Sequence, residues 1–193
     1  ITSSGANANT GGQLARLNFL RSEPTTNASS PLLAAENNRV FVADDNRNLY
    51  ILNKSAANPT VNGAGFTPYI NFQAVFPEFD NNPGYAGGLV TFQFDPGYSD
   101  PTSAGYGKFY TVHSENITST PSASARPINA NLPGLTGVAS TVGGASSYAL
   151  TTPMNPPAGA ISRQSVLVEW TDTNPLDNVF EGTAREILRV GFT

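Results

Sequence analysis

The sequence predicts an all-β protein built from antiparallel, four-stranded, blade-like sheets. Three observations point there. Alternating runs of aromatic and β-branched residues recur along the chain, each bounded by Gly, Pro, Asn, Asp or Ser. Charged residues are only 12% of the 193, about half the usual share, while Gly (18) and Pro (15) are frequent, a turn-rich composition. No stretch sustains the 3.6-residue period of a long amphipathic helix.

The elements follow in order. Residues 1–12 are small and polar and read as a leader, and Gln13–Arg21 fits a helix or a strand, with the surrounding turn formers favouring an extended segment. Ser22–Pro31 is a loop. Residues 1–35 are therefore assigned to an N-terminal leader or extended segment, and 36–193 to the sheets. Asn37–Asn53 reads as a hairpin: strand Arg39–Ala43, polar turn Asp44–Asn48, strand Leu49–Leu52. Thr67–Phe76 is a third strand or a covering segment, and Pro77–Ala86 a loop.

The organising stretch is Gly87–Glu115. Its runs Leu89–Asp95 and Lys108–Ser114 flank a wide loop of turn formers. Strict alternation places Val90, Phe92 and Phe94 on one face of the first strand, and Leu89, Thr91, Gln93 and Asp95 on the other. Residues 116–162 are rich in Ser, Thr, Ala, Gly and Pro and read as a low-complexity insertion over one face. Ser165–Thr171 and Arg185–Phe192 are the last two strands. Four strands, from 89 to 192, make one blade-like sheet, and the hairpin at 39–52 belongs to a neighbouring one. The final strand leaves an open edge, for which further chain or a partner subunit is the expected cover.

Bulk chemistry narrows the function classes. The net charge is −4 and no Lys/Arg cluster appears, which argues against nucleic acid and anionic membrane surfaces as partners. No apolar run reaches the length of a membrane-spanning helix. With no cysteine, a disulfide framework, an iron–sulfur cluster and a thiol nucleophile are excluded. The chain begins at Ile1 rather than Met and shows no signal peptide, and reads as processed or partial.

His113, the single histidine, shares a strand face with Phe109 and Thr111; with no motif placing a partner beside it, a structural or surface role is preferred over a base or metal ligand. Asp44-Asp45-Asn46-Arg47-Asn48 has oxygen ligands at calcium-like spacing, but lacks the sixth-position Gly and twelfth-position acid of an EF-hand loop, so a hairpin turn is preferred. The acids of Glu78-Phe79-Asp80 and of Asp172 to Asp177 lie in loops and are expected to be solvated. There is no Gly-x-Ser-x-Gly elbow, and Val142-Gly143-Gly144-Ala145 lacks the lysine and helix of a phosphate loop. Trp170, on the face of Val166 and Val168, is expected in the core rather than stacked on a sugar. Asn27, Asn53 and Asn116 begin glycosylation-type triplets, which chance produces in so Asn-, Ser- and Thr-rich a chain. No residue is assigned a catalytic or metal-binding role.

Four segments in order, Gly87–Pro96, Gly105–Thr111, Val166–Trp170 and Arg185–Val190, resemble the N-terminal part of the glucose/sorbosone dehydrogenase-like family. These are soluble quinoprotein sugar dehydrogenases with a six-bladed β-propeller. The hairpin Arg39–Leu52 suits the family's opening strands, and the resemblance covers about residues 36–193 without the insertion. It departs at Phe94-Asp95-Pro96, where many relatives carry Phe-His-Pro. It implies a partial propeller, an extracellular or periplasmic location, and a whole protein that oxidises a sugar or related alcohol with pyrroloquinoline quinone (PQQ) and calcium. The family's catalytic histidine falls after the strand matching Arg185–Val190, and its quinone and calcium residues later still. None maps onto this chain, which is expected to be inert alone. The alternative is a non-catalytic extracellular β-rich binding or assembly subunit, whose open edges pair with partner chains. A hydrolase has only scattered carboxylates behind it.

Overall fold

The computed structural model describes residues 17–24, 39–53, 66–76, 79–80, 87–116 and 163–192. Within them lie β1 (Leu17–Ser22), β2 (Arg39–Asp44), β3 (Asn48–Asn53), β4 (Phe66–Asn71), the single helical turn α1 (Phe72–Val75), β5 (Leu89–Phe94), β6 (Lys108–Asn116), β7 (Arg163–Asp172) and β8 (Gly182–Phe192). The strands form two four-stranded antiparallel meanders, β1-β2-β3-β4 and β5-β6-β7-β8. This is the all-β, four-stranded-sheet organisation that the alternating runs predict, with the hairpin at 39–52 in a sheet separate from the one that follows. The insertion expected at 116–162 lies, apart from Asn116, outside the described residues.

In the first sheet the β2–β3 turn is built by Asp44. Its carboxylate accepts the backbone N–H of Arg47 (2.8 Å) and Asn48 (2.9 Å), which fits the turn reading of this acidic stretch. Leu17–Ser22, read as part of the leader, pairs with β2, so this sheet begins upstream of residue 36. The run Thr67–Phe76 divides at Asn71. Phe72 N–H bonds to Arg47 O (2.7 Å) and Phe76 N–H to Phe72 O (2.7 Å), turning the strand into one helical turn.

In the second sheet the alternation drawn for β5 fails at its first residues. Leu89 pairs with His113 and Thr91 with Val112, so Val90 is an extra residue, a bulge. One added residue reverses the facing of everything before it. Leu89 is therefore buried on the same face as Phe92 and Phe94, and Val90 is only half-buried. Gly88, at φ 94°, enters this bulge against the first sheet's turn; a Cβ there would collide with the carbonyl oxygen of Asp45. The wide loop after β5 is a series of tight turns, beginning where the Asp95 carboxylate accepts Gly97 N–H (2.8 Å).

The buried faces of the two sheets share one aromatic core. Trp170 lies parallel to Phe109 (5.9 Å between centroids, 5° between planes) and meets Phe72 (5.4 Å) and Phe180 (5.3 Å) edge-on. Its indole N–H donates to Thr111 Oγ1 at 2.7 Å, so the burial leaves no polar atom of Trp170 unmet. The core placement expected of Trp170 is thus observed. The first strands of the two sheets lie side by side: Asn18 Nδ2 donates to Leu89 O (3.2 Å) and Arg21 Nε to Phe92 O (2.9 Å), capping edge carbonyls of β5.

Candidate functional site

Two buried polar groupings flank the aromatic core, at opposite ends of the inter-sheet seam. The first gathers Glu23 after β1, Arg39 at the start of β2, Tyr69 on β4, Tyr98 in the β5–β6 loop and Asp172 at the end of β7. All five are buried. The Tyr69 hydroxyl donates to Asp172 Oδ2, a bond running from one sheet to the other. The Arg39 guanidinium, over the ring of Phe41, pairs with Glu23 Oε1 (2.5 Å) and donates to the carbonyls of Pro175 (2.6 Å) and Asp177. The Ser99 hydroxyl donates to Pro24 O beside it.

Burial sets the ionisation of this grouping. It pushes the Tyr69 phenol well above its ordinary 10, with the neighbouring Tyr98 and Asp172 adding to the shift. Tyr98 is raised too, first by burial and next by the Glu23 carboxylate, against the opposing charge of Arg39. Burial also raises Asp172, opposed by the Tyr69 hydroxyl and by backbone N–H groups of Asn174 and Glu181. The chemistry of the grouping is that of a closed cross-link: phenols kept neutral, one carboxylate held between sheets, one guanidinium spread over two loops.

The second grouping centres on His113. His113 is buried rather than at the surface, and the expected absence of a partner does not hold. Glu115, two residues on and therefore on the same strand face, places Oε1 2.9 Å from His113 Nε2, with both side chains almost fully buried. The imidazole is stacked on Phe76 (4.2 Å) and Phe79 (5.9 Å). Asp80, expected in solvent, is buried and accepts Arg163 Nε at 2.5 Å. Asp172 is likewise buried rather than solvated, because Tyr69 and the Asn174 N–H (3.0 Å) satisfy it. Asp177 stays half-buried, its carboxylate accepting Val179 N–H (2.9 Å) and Asn174 Nδ2 (2.6 Å). Glu78, Asn27 and residues 142–145 lie outside the described residues, while Asn53 and Asn116 are the last residues of β3 and β6.

Comparison with protein-family models, with curated proteins and with solved structures finds no match to this chain. The function must therefore be argued from the residues. Among those described, no three His, Cys, Asp or Glu side chains are placed to hold a metal ion, and no helix is long and apolar enough to cross a membrane. The buried groups do not fit a calcium–quinone site. Their acids are already engaged by Arg39, His113, Arg163 or Tyr69, and the one histidine is fully enclosed. Asp95 serves its loop. It caps Gly97 and also receives the Tyr110 hydroxyl (3.2 Å), which lies 3.3 Å from Glu169 as well.

Proposed function

We propose that this chain supplies the first two blades of a β-propeller of the glucose/sorbosone dehydrogenase-like kind, as scaffold rather than as catalytic centre. The observation that carries the reading is the pair of consecutive four-stranded meanders whose first strands, β1 and β5, lie side by side. That is how successive blades of a propeller meet around a central axis. The ordered motifs from Gly87 to Val190 support it, since each falls on the strand or loop of one sheet. In this reading the whole protein oxidises a sugar or a related alcohol in an extracellular or periplasmic setting, and this segment's buried groupings lock one blade onto the next. His113 takes no proton from a substrate, because Phe72, Phe76 and Phe79 enclose it.

The test is aldose oxidation with added PQQ and calcium, using the full-length protein and the 193-residue chain in parallel. Activity in the full-length protein alone is the expected result. Activity in the 193-residue chain would overturn the scaffold assignment, and inactivity of both would remove the dehydrogenase reading.

A second reading, an assembly or binding subunit, is favoured by β8. It pairs only with β7 among the described strands and carries exposed Ile187 and Leu188. Concentration-dependent self-association in light scattering, together with inactivity of the full-length protein, would select it.

A further inference from the structure

The two sheets are built to one register. In the first, Phe19, Ala43, Leu49 and Ile70 form a row across all four strands, and Arg21, Phe41, Ile51 and Thr67 form the next row on the same face. In the second, the rows in the same places are Thr91, Val112, Leu167 and Leu188, then Gln93, Tyr110, Glu169 and Arg185. The bulges repeat as well. The second residue of the first strand is extra in each sheet, Asn18 and Val90. The last strand carries its extra residue beside the same row, Tyr69 in β4 and Ile187 in β8. A shared bulge pattern marks the sheets as two copies of one structural unit. In the first copy these rows are the face that meets the second sheet. Phe41 abuts Phe94 edge-on at 4.9 Å, and the bulge residue Tyr69 lies 5.9 Å from Phe109 and bonds to Asp172. Ala43, Leu49, Ile51 and Ile70 are buried in the common core. The second sheet turns its other face to that core, with Phe92, Phe94, Phe109 and Trp170, so its equivalent rows point away from the first sheet. There Val112 and Leu167 are half-buried, while Ile187 and Leu188, in the places of Tyr69 and Ile70, are 41% and 38% exposed.

We propose that this outer face of the second sheet seats a third four-stranded sheet of the whole protein, packed on it as the second sheet packs on the first. The proposal rests on the propeller reading and names the surface and side chains that would continue it. A repeated unit cannot cover its apolar rows alone, and each neighbour that stacks on it covers one face. The chemistry of the occupant follows from the rows. Opposite Val112, Leu167, Ile187 and Leu188 it presents apolar and aromatic side chains, as Phe92, Phe94 and Phe109 do toward the first sheet. Opposite the next row it presents hydrogen-bonding groups. That row holds the Tyr110 phenol and the Glu169–Arg185 ion pair (3.0 Å) where the first sheet holds Phe41, Ile51 and Thr67. Ile187 sets the difference between the two junctions. In the place of Tyr69 it has no hydroxyl to donate across the seam, so this junction is held there by apolar contact.

The chain has no cysteine, so single introduced thiols report which faces are covered. Leu188→Cys and Gln93→Cys place a thiol on the outer face. Val179→Cys, at a residue 56% exposed in the β7–β8 link, serves as the reference. Each variant is made in the 193-residue chain and in the full-length protein and treated with a maleimide, and the modified residue is located by peptide mapping. The expected result is labelling of all three in the 193-residue chain, and loss of labelling at 188 and 93, but not at 179, in the full-length protein. Equal labelling of Leu188→Cys in both would overturn the proposal. Intact mass separates this failure from that of the propeller reading: a longer protein with an open outer face leaves the propeller standing, whereas a protein of this length removes both. Protection that appears in the 193-residue chain alone and grows with its concentration would assign the face to a second copy and overturn the third sheet. Leu188→Lys gives an independent readout. The thermal midpoint of the 193-residue chain is expected to stay and that of the full-length protein to fall, and an unmoved full-length midpoint would contradict the proposal.

Discussion

Tyr69 and Asp172 show how one hydrogen bond can couple two sheets. Replacing Tyr69 by Phe preserves the ring's edge contact with Phe41 (5.1 Å) but strands the Asp172 carboxylate between the sheets. A hydrogen bond to a charged group contributes about 1.5–3 kcal/mol, and urea unfolding of Tyr69→Phe is expected to show a loss in that range. Trp170→Ala removes the largest ring of the core, and a loss of about 3–5 kcal/mol is expected in the same measurement. The phenols also fix a pH dependence. Tyr69 and Tyr98 have folded pKa values raised above the ordinary 10. The folded state therefore keeps protons that the unfolded chain gives up, so their contribution is complete below pH 10 and is lost as pH rises beyond it. Denaturation midpoints are expected to be flat from pH 8 to 9 and to drop above 10, and the double variant Tyr69→Phe/Tyr98→Phe to lose most of that drop.

At the scale of the element, the bulge at Val90 decides which side chains of β5 enter the core. Gly88 makes it possible, because its φ of 94° and its closeness to the Asp45 carbonyl leave no room for a side chain. Gly88→Ala is expected to cost at least 1–3 kcal/mol through backbone strain alone, read as a lowered thermal midpoint; an unchanged midpoint would mean that the turn of the first sheet moves aside freely. These elements also mark how far the sequence can be read. The strands β2, β3 and β5 to β8 were legible, since period-2 alternation and turn residues are local signals, whereas β1 was read as an extended part of a leader and β4 as a strand or a covering segment. The bulge was not legible, because one extra residue hides inside an apparently regular alternation. Glu115 was within reach as the i+2 neighbour of His113. The grouping of Glu23, Arg39, Tyr69, Tyr98 and Asp172 was not, because it draws one residue from each of five separate elements. Asp80 and Asp172 misled for a related reason: acids in turn-rich stretches read as solvated until the facing Arg163 and Tyr69 are known.

For the whole molecule, the proposed propeller reading would carry the arrangement of β1 beside β5 on to further sheets around an axis, while among the described strands β8 pairs on one side only, with β7. Of the two buried groupings, one joins the two sheets through the Tyr69–Asp172 bond and the other surrounds His113 on β6. The claim that these two sheets belong to a larger propeller is tested most directly by the intact mass of the protein from its native source. The propeller account predicts a mass well above the 20.3 kDa of this chain. A mass equal to 20.3 kDa would contradict it and would make β8 an edge for another molecule to complete.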